Sequence, residues 1–435
     1  MKLTIVGGGG FRVPLVHAAL LADDLIDHLA LLDVDPDRLA VIDRVLTGQA
    51  RTSARRHSVH TDPAEALADA DFVFSAMRTG GTAARVLDER IAAGHGLIGQ
   101  ETVGAGGIAY ALRSIPASLE LARTVARTAP QAWLINFTNP AGMVTEALAA
   151  VHPRVVGICD SPVALARRAA AALGLDPASV EPDYVGLNHL GWLRGLTVAG
   201  TDRLPELIAD PDRLASFEEG RLFGPRLIGD LGALPNEYLH WFYFRREAGT
   251  GGARGAFLAE QQDRFYRGCP ADPDAALAAW EAARREREET YGAANREAAG
   301  GFERAAADLV SGGYEGVALA IMRAIGRDEP ARLILDMPNA GRLADLPDDA
   351  VIEAPCRVDG AGVHPLPIDP LPDYARGLVA TVKQVERWTI EAAVTGSARA
   401  ARLALTHHPL VDSAAIASRL LADYRAAHAE LGYLR

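Results

Sequence analysis

The first 33 residues constrain the fold most. Lys2-Leu3-Thr4-Ile5-Val6 is a short apolar run, Gly7-Gly8-Gly9-Gly10 follows it, and Pro14 to Leu21 has helical periodicity. Leu29 to Leu32 is a second apolar run and ends at Asp33. A buried strand that enters a helix through glycines, followed by a strand closed by a carboxylate, predicts a dinucleotide-binding βαβ unit. Gly7, Gly8, Gly9 and Gly10, with Phe11 behind them, let the backbone approach a pyrophosphate at a helix N-terminus. The spacing departs from G-x-G-x-x-G, because the third glycine position counted from Gly7 is Arg12. Asp33 compensates: it can accept both ribose hydroxyls and repels a 2′-phosphate, which favours NAD over NADP.

The alternation continues. Pro36 to Thr47 is helical in pattern, and Asp71 to Ser75, Ala132 to Asn136 and Val155 to Cys159 read as strands. This is an α/β fold: an N-terminal Rossmann-like, doubly wound parallel sheet over residues 1–185. Beyond it the pattern changes to long helical stretches (Ala275 to Arg296, Phe302 to Ile325, Gly377 to Val394, Ser413 to Glu430) around strand-like pieces at Arg332 to Leu335 and Val351 to Cys356. A C-terminal α+β domain over 186–435 is expected to carry substrate, metal and oligomer contacts. The charged stretch Glu281 to Glu289 reads as a solvated helix face.

A formal net charge of -12 argues against nucleic-acid and anionic-membrane partners, so an anionic ligand requires a local arginine cluster. Three cysteines form no disulfide framework and fit a reducing cytoplasm. The opening strand is no signal peptide, and no run of about 18 apolar residues implies a membrane span.

Ligand-facing residues of such a sheet sit at the carboxyl ends of its strands. Asp33, Arg78, Asn136, Asn139 and Cys159 all fall there. A cysteine ending an apolar strand is most often a small core residue, and a lone histidine such as His189 is most often a satisfied one. Their placement favours more. One thiolate and one imidazole are too few for a closed structural zinc site but leave positions open for substrate and water. Glu101 lies in the glycine-dense Gly96 to Gly107 loop, and Asn136-Phe137-Thr138-Asn139-Pro140 offers two carboxamides; both could orient hydroxyls or simply form turns. Tyr238, in an aromatic stripe, reads by spacing alone as core.

Taken together, the Gly7 loop, Gly96 to Gly107, Asn136 to Gly142, Gly157 to Pro162, Tyr184 to Leu190 and Asn236 to Tyr243 resemble the NAD- and divalent-metal-dependent glycosidases of glycoside hydrolase family 4. The resemblance runs from Met1 to about His408. It implies that Cys159 and His189 hold a metal, usually manganese, and that Tyr238 is a base, as in β-specific members. It also implies that Asn136, Asn139, Asn188 and Glu101 line the site, and that the subunits form dimers or tetramers. The implied mechanism differs from the paired-carboxylate route of most glycosidases. Hydride leaves C3 of the sugar for NAD, the ketone acidifies the C2 proton, and Tyr238 removes it while the metal steadies the C2 and C3 oxygens. The aglycone then leaves from C1, water adds back and the hydride returns.

Members acting on 6-phosphosugars tend to carry arginines near Arg78 and after the base tyrosine, where Arg254 stands. Two guanidinium groups recognise a phosphate bidentately. Asp160 follows the metal cysteine where β-specific members often carry Asn, which raises a general-acid role and an α-glycoside substrate. The framing around Tyr238 favours the β branch, so the expectation is hydrolysis of a phosphorylated glycoside by a 6-phospho-β-glucosidase. The alternatives are a 6-phospho-α-glucosidase, an unphosphorylated α-glycosidase and an NAD-dependent 2-hydroxy-acid dehydrogenase, which needs no metal. A non-catalytic NAD- or sugar-phosphate-binding protein would be free to lose Cys159 and Tyr238.

Overall fold

A computed structural model describes residues 1–50, 56–250, 253–303 and 313–435. Six strands carry the first half: β1 (Lys2–Val6), β2 (His28–Leu32), β3 (Arg56–His60), β4 (Phe72–Ser75), β5 (Trp133–Asn136) and β6 (Val155–Gly157). All pair in parallel, in the order β3-β2-β1-β4-β5-β6. This is the expected dinucleotide-binding order, with its reversal of direction between β1 and β4.

Strand alternation divides the core. Leu3, Ile5, Phe72, Phe74 and Ile135 face one way and pack with the helices Val13–Leu21, Pro36–Gln49 and Tyr314–Arg327. Val73, Leu134 and Val155 face the other way, onto the long helix Gly104–Thr128. The Pro36–Gln49 helix starts where its sequence says it should: Asp35 accepts from the backbone N–H groups of Asp37 and Arg38, and Pro36 opens the first turn.

The sheet does not stop at β6. In the second half are β7 (Glu181–Leu187), β8 (Leu190–Val198), β9 (Thr201–Asp202), β10 (Leu234–Pro235), β11 (Ala331–Pro338), β12 (Val351–Asp359) and β13 (Gly362–Pro365). β11 joins antiparallel to β6, and the order continues β12-β7-β8-β10, making one sheet of 13 strands. One register row runs across it: Val6, Ser75, Asn136, Gly157, Asp336, Glu353 and Gly186. The helices Asp373–Thr395, Ala398–His407 and Ala414–Ala427 return to the first half and bury Val385, Ala392, Leu405 and Leu420 with Ile108 and Leu112.

Three helical expectations change. The stretch from Ala275 to Arg296 is two helices, Pro273–Glu289 and Ala293–Ala298, broken at Gly292, which takes a φ of +65° that other residues avoid. Of Phe302 to Ile325, residues 304–312 lie outside the described residues, and helix is present from Tyr314. The Glu281 to Glu289 stretch is not wholly solvated, because Glu288 is buried and Arg287 lines the main cavity. Among the described residues, no helix is long and apolar enough to cross a membrane.

Candidate active site

A cavity of about 1210 Å³ lies along the carboxyl ends of the parallel strands. That exceeds a usual small-ligand pocket of roughly 300–1,000 Å³. Gly7, Gly10, Phe11 and Asp33 line one end, and Cys159, Asp160, His189 and Tyr238 the other.

At the first end the glycine loop packs so closely on the neighbouring strands and helix that side chains would collide with them, with Gly7 and Gly10 but not Gly8 or Gly9 lining the cavity. Gly7 has a φ of +86°, and a Cβ there would sit 2.6 Å from the Ala76 carbonyl oxygen. A Cβ at Gly8 would meet Leu31 at 2.8 Å, and one at Gly9 would meet Arg38 at 2.9 Å. Asp33 braces the loop, its Oδ2 accepting from the Gly9 N–H at 2.9 Å while the residue still lines the cavity. The loop is also pinned from the second half. Tyr266 donates to the Gly9 carbonyl at 2.7 Å, Trp280 to that of Phe11 at 2.8 Å, and Tyr314 to that of Arg12 at 3.0 Å. No sequence signal links these distant aromatic residues to the loop. A pre-formed cradle closed by a carboxylate fits a dinucleotide.

At the other end Cys159 and His189 line the same wall and are both almost fully buried. His189 adopts a φ of +64°, uncommon for a non-glycine residue. Burial pushes its imidazole down to about 3, so it is neutral, and its buried Nδ1 has no hydrogen-bond partner among the described residues. Burial, with Glu353 and Asp160 nearby, pushes the Cys159 thiol up, so a thiolate there calls for a compensating cation. A neutral imidazole and a buried thiol fit a divalent ion with open positions. Among the described residues, no group of three or more His, Cys, Asp and Glu could hold a metal. In such a site Cys159 and His189 would be the protein's share.

Tyr238 stacks on His189, with ring centroids 3.7 Å apart and planes 8° from parallel. Its hydroxyl lies 3.4 Å from that of Tyr291, which donates to Glu237 Oε1 at 2.8 Å. Burial first, then Glu237, pushes both phenols well above 10. Asp160 lines the cavity 3.9 Å from the Arg12 guanidinium. Burial raises its carboxyl against the pull of Arg12.

Asn139 lines the cavity with its carboxamide oxygen buried and unpartnered. Asn136 is not brought to it. That side chain is fully buried and spends its carboxamide on Thr138, Ala141 and Thr145, shaping the loop that presents Asn139. Asn188 also turns away, into a small space behind His189, and donates to Glu353 at 3.2 Å.

The arginines sort themselves by partner. Arg78 and Arg85 both pair with Glu101. Burial alone would raise the Glu101 carboxyl, but these two cations hold it down to about 2. One Arg78 nitrogen is thus engaged by Glu101 while the residue still lines the cavity. Arg254 instead contacts Thr290 and the Arg287 carbonyl, both uncharged. Burial, then Arg85, lowers the Arg254 guanidinium to about 10; burial, then Arg12 and Arg254, lowers that of Arg287 to about 9. Guanidinium groups gathered in a shared cavity wall are chemistry that an anion would complete. The sequence singles out Arg254 but not Arg287, which lies in a run of charges that looks solvated. Arg12 stands out in it only as a departure from the glycine pattern.

The chain matches the family profile described as "Family 4 glycosyl hydrolase" over residues 2–175 and that of its C-terminal domain over 184–411. It is 31% identical to a probable 6-phospho-beta-glucosidase of Bacillus subtilis, over 98% of this chain and 96% of that one. It is 30% identical to a phospho-alpha-glucosidase of Clostridium acetobutylicum, over 97% and 96%. The 6-phospho-beta glucosidase of Thermotoga maritima, solved with manganese, NAD+ and glucose-6-phosphate, superposes with a TM-score of 0.79 at 27% identity, covering 100% of both chains. A cradle for a dinucleotide, a thiol–imidazole pair and an arginine wall thus share one cavity, and the chain belongs to glycosyl hydrolase family 4, a family of hydrolase enzymes.

Proposed function

We propose that this enzyme hydrolyses 6-phospho-β-glucosides with NAD and a divalent metal, manganese being the ion bound in the Thermotoga structure. The observation that carries this reading is the arginine wall: Arg12, Arg254 and Arg287 share one cavity with Cys159, His189 and Tyr238. A chain of net charge -12 has little reason to bury Arg254 and Arg287, both lowered by burial and by neighbouring guanidinium groups, unless an anion completes them. Phosphate contacts are therefore ascribed to Arg254 and Arg287, with Arg78 ordering Glu101 instead.

Bound NAD would supply a hydride acceptor for C3, and a divalent ion on Cys159 and His189 would offset negative charge on the C2 and C3 oxygens. The remaining work falls to side chains. Asn139 presents an unpartnered carboxamide oxygen for a sugar hydroxyl, and Tyr238, held flat on His189, removes the C2 proton. The β reading rests on Tyr238, whose ring lies against the proposed metal ligand. The α reading rests on Asp160, which also lines the cavity, and curated relatives of both kinds match the chain.

The deciding assay offers four p-nitrophenyl glucosides, α and β, each with and without a 6-phosphate, to protein supplied with NAD, manganese and a thiol reductant. Release from the 6-phospho-β compound alone, lost without NAD or metal, is expected. Release from an α compound would keep the family and give Asp160 the general-acid role, and release from an unphosphorylated one would empty the arginine wall of its role.

A further inference from the structure

Tyr238 does not end in the cavity alone. Its hydroxyl meets that of Tyr291 at 3.4 Å, and Tyr291 donates to Glu237 Oε1 at 2.8 Å. The same carboxylate oxygen accepts from Ser161 at 3.1 Å, and Arg168 lies 3.9 Å from the other. All three members of the chain line the cavity. They come from two segments: the turn Glu237–Leu239, and the Thr290–Gly292 break between helices. The break turns Tyr291 inward. A continuous helix through it, as the sequence pattern suggests, would not require the left-handed Gly292.

We propose that Tyr291 and Glu237 are positioning partners of Tyr238 that take up its hydroxyl proton as it removes the C2 proton of the sugar. This rests on the reading of the preceding section, with C3 already oxidised to the ketone. The C2–H bond breaks and its proton passes to the Tyr238 oxygen, while the Tyr238 hydroxyl proton passes to Tyr291 and that of Tyr291 to Glu237 Oε1. The C2–H electron pair becomes the C1–C2 π bond. The C1–O bond breaks, and its pair leaves on the aglycone oxygen, which takes a proton from water. When the hydroxide left by that water adds at C1, the relay runs backward and C2 regains a proton from Tyr238. Both phenols are thus neutral before and after the step, and the charge that changes is on a carboxyl group. The 3.4 Å step lies at the long end of the range, as contacts awaiting substrate often do.

The test uses the holoenzyme with NAD and manganese on p-nitrophenyl β-glucoside 6-phosphate, unlabelled and deuterated at C2. Tyr291→Phe and Glu237→Gln should each lower kcat about 10- to 100-fold. KM and NAD affinity should stay within about twofold, and the C2 isotope effect should grow as proton removal becomes slower. The double variant should be no worse than the weaker single one, since one relay is cut twice. A Tyr291→Phe enzyme with unchanged kcat and isotope effect overturns the relay while hydrolysis by the parent keeps the functional reading. A loss confined to KM or thermal stability also overturns it. A parent enzyme that turns over none of the glucosides removes the functional reading, and the relay with it.

Discussion

The phenol ring of Tyr238 lies flat on the imidazole of His189, 3.7 Å between centroids and 8° from parallel. The contact fixes the tyrosine hydroxyl relative to whatever His189 binds. It joins two segments 49 residues apart in sequence, the left-handed turn at His189 and the Asn236-capped turn that carries Tyr238. Tyr238→Phe keeps the stacked ring and removes only the hydroxyl. Hydrolysis should fall by about 100- to 10,000-fold, the range of a lost general base. NAD binding, followed by fluorescence titration, should be near that of the parent. Retained turnover would take Tyr238 out of the base role.

Cys159→Ser replaces the buried thiol with a weaker ligand of similar size. Loss of a direct ligand should weaken manganese binding at least as much as loss of a supporting contact does, about 10- to 100-fold. Activity regained at high manganese, with an unchanged melting temperature, would mark the thiol as a ligand. An unaltered manganese titration would mark it as packing.

The legibility of this chain follows sequence distance. The strand–glycine–helix opening and Asp33 are local patterns with one structural meaning, and the parallel sheet follows from them. Cys159, His189 and Tyr238 could be singled out because short segments surrounding them carry the family resemblance. What stayed hidden was made by contacts between distant segments. Nothing near Trp280 or Tyr266 says that they hold the Gly7 loop. Arg287 sits in a run of alternating charges typical of a wet helix face, and only the fold turns it inward. Asn136 looked like a ligand because strand ends attract ligands, but a carboxamide there can equally be consumed by its own loop.

Asp336 and Glu353 face each other across β11 and β12, both buried, and among the described residues neither Asp336 oxygen has a hydrogen-bond partner. Burial, with Glu386 close by, pushes the Asp336 carboxyl up to about 8. The folded protein therefore holds a proton that the unfolded chain has already released at neutral pH. Stability from this group is full below the unfolded value near 4 and is lost as pH rises through the folded one. Asp336→Asn mimics the protonated acid, so its melting temperature relative to the parent should climb from pH 5 to pH 8. The gain should be about 1 to 2 °C per pH unit. A difference that stays constant with pH would show that the acid is ionised in the fold.

The arginine wall makes the sharpest demand on substrate choice. Burial lowers the basicity of both Arg254 and Arg287, and Arg254 lowers that of Arg287 further, so removing Arg287 relieves repulsion in the free enzyme while removing a phosphate contact from the complex. Arg287→Ala should therefore not destabilise the apo protein as strongly as most buried truncations, and its melting temperature should fall by less than about 2 °C. Its kcat/KM on a 6-phospho-β-glucoside should fall by about 10- to 100-fold, corresponding to a charge-assisted hydrogen bond of roughly 1.5–3 kcal/mol. Most of the loss should appear in KM, because the phosphate is remote from the bond that breaks. Arg78→Ala should behave differently. It frees Glu101 from a partner within the cavity wall, so NAD binding and thermal stability should both suffer along with KM. Equal KM losses in the two variants, with both otherwise intact, would return Arg78 to the phosphate and leave Arg287 without a distinct role.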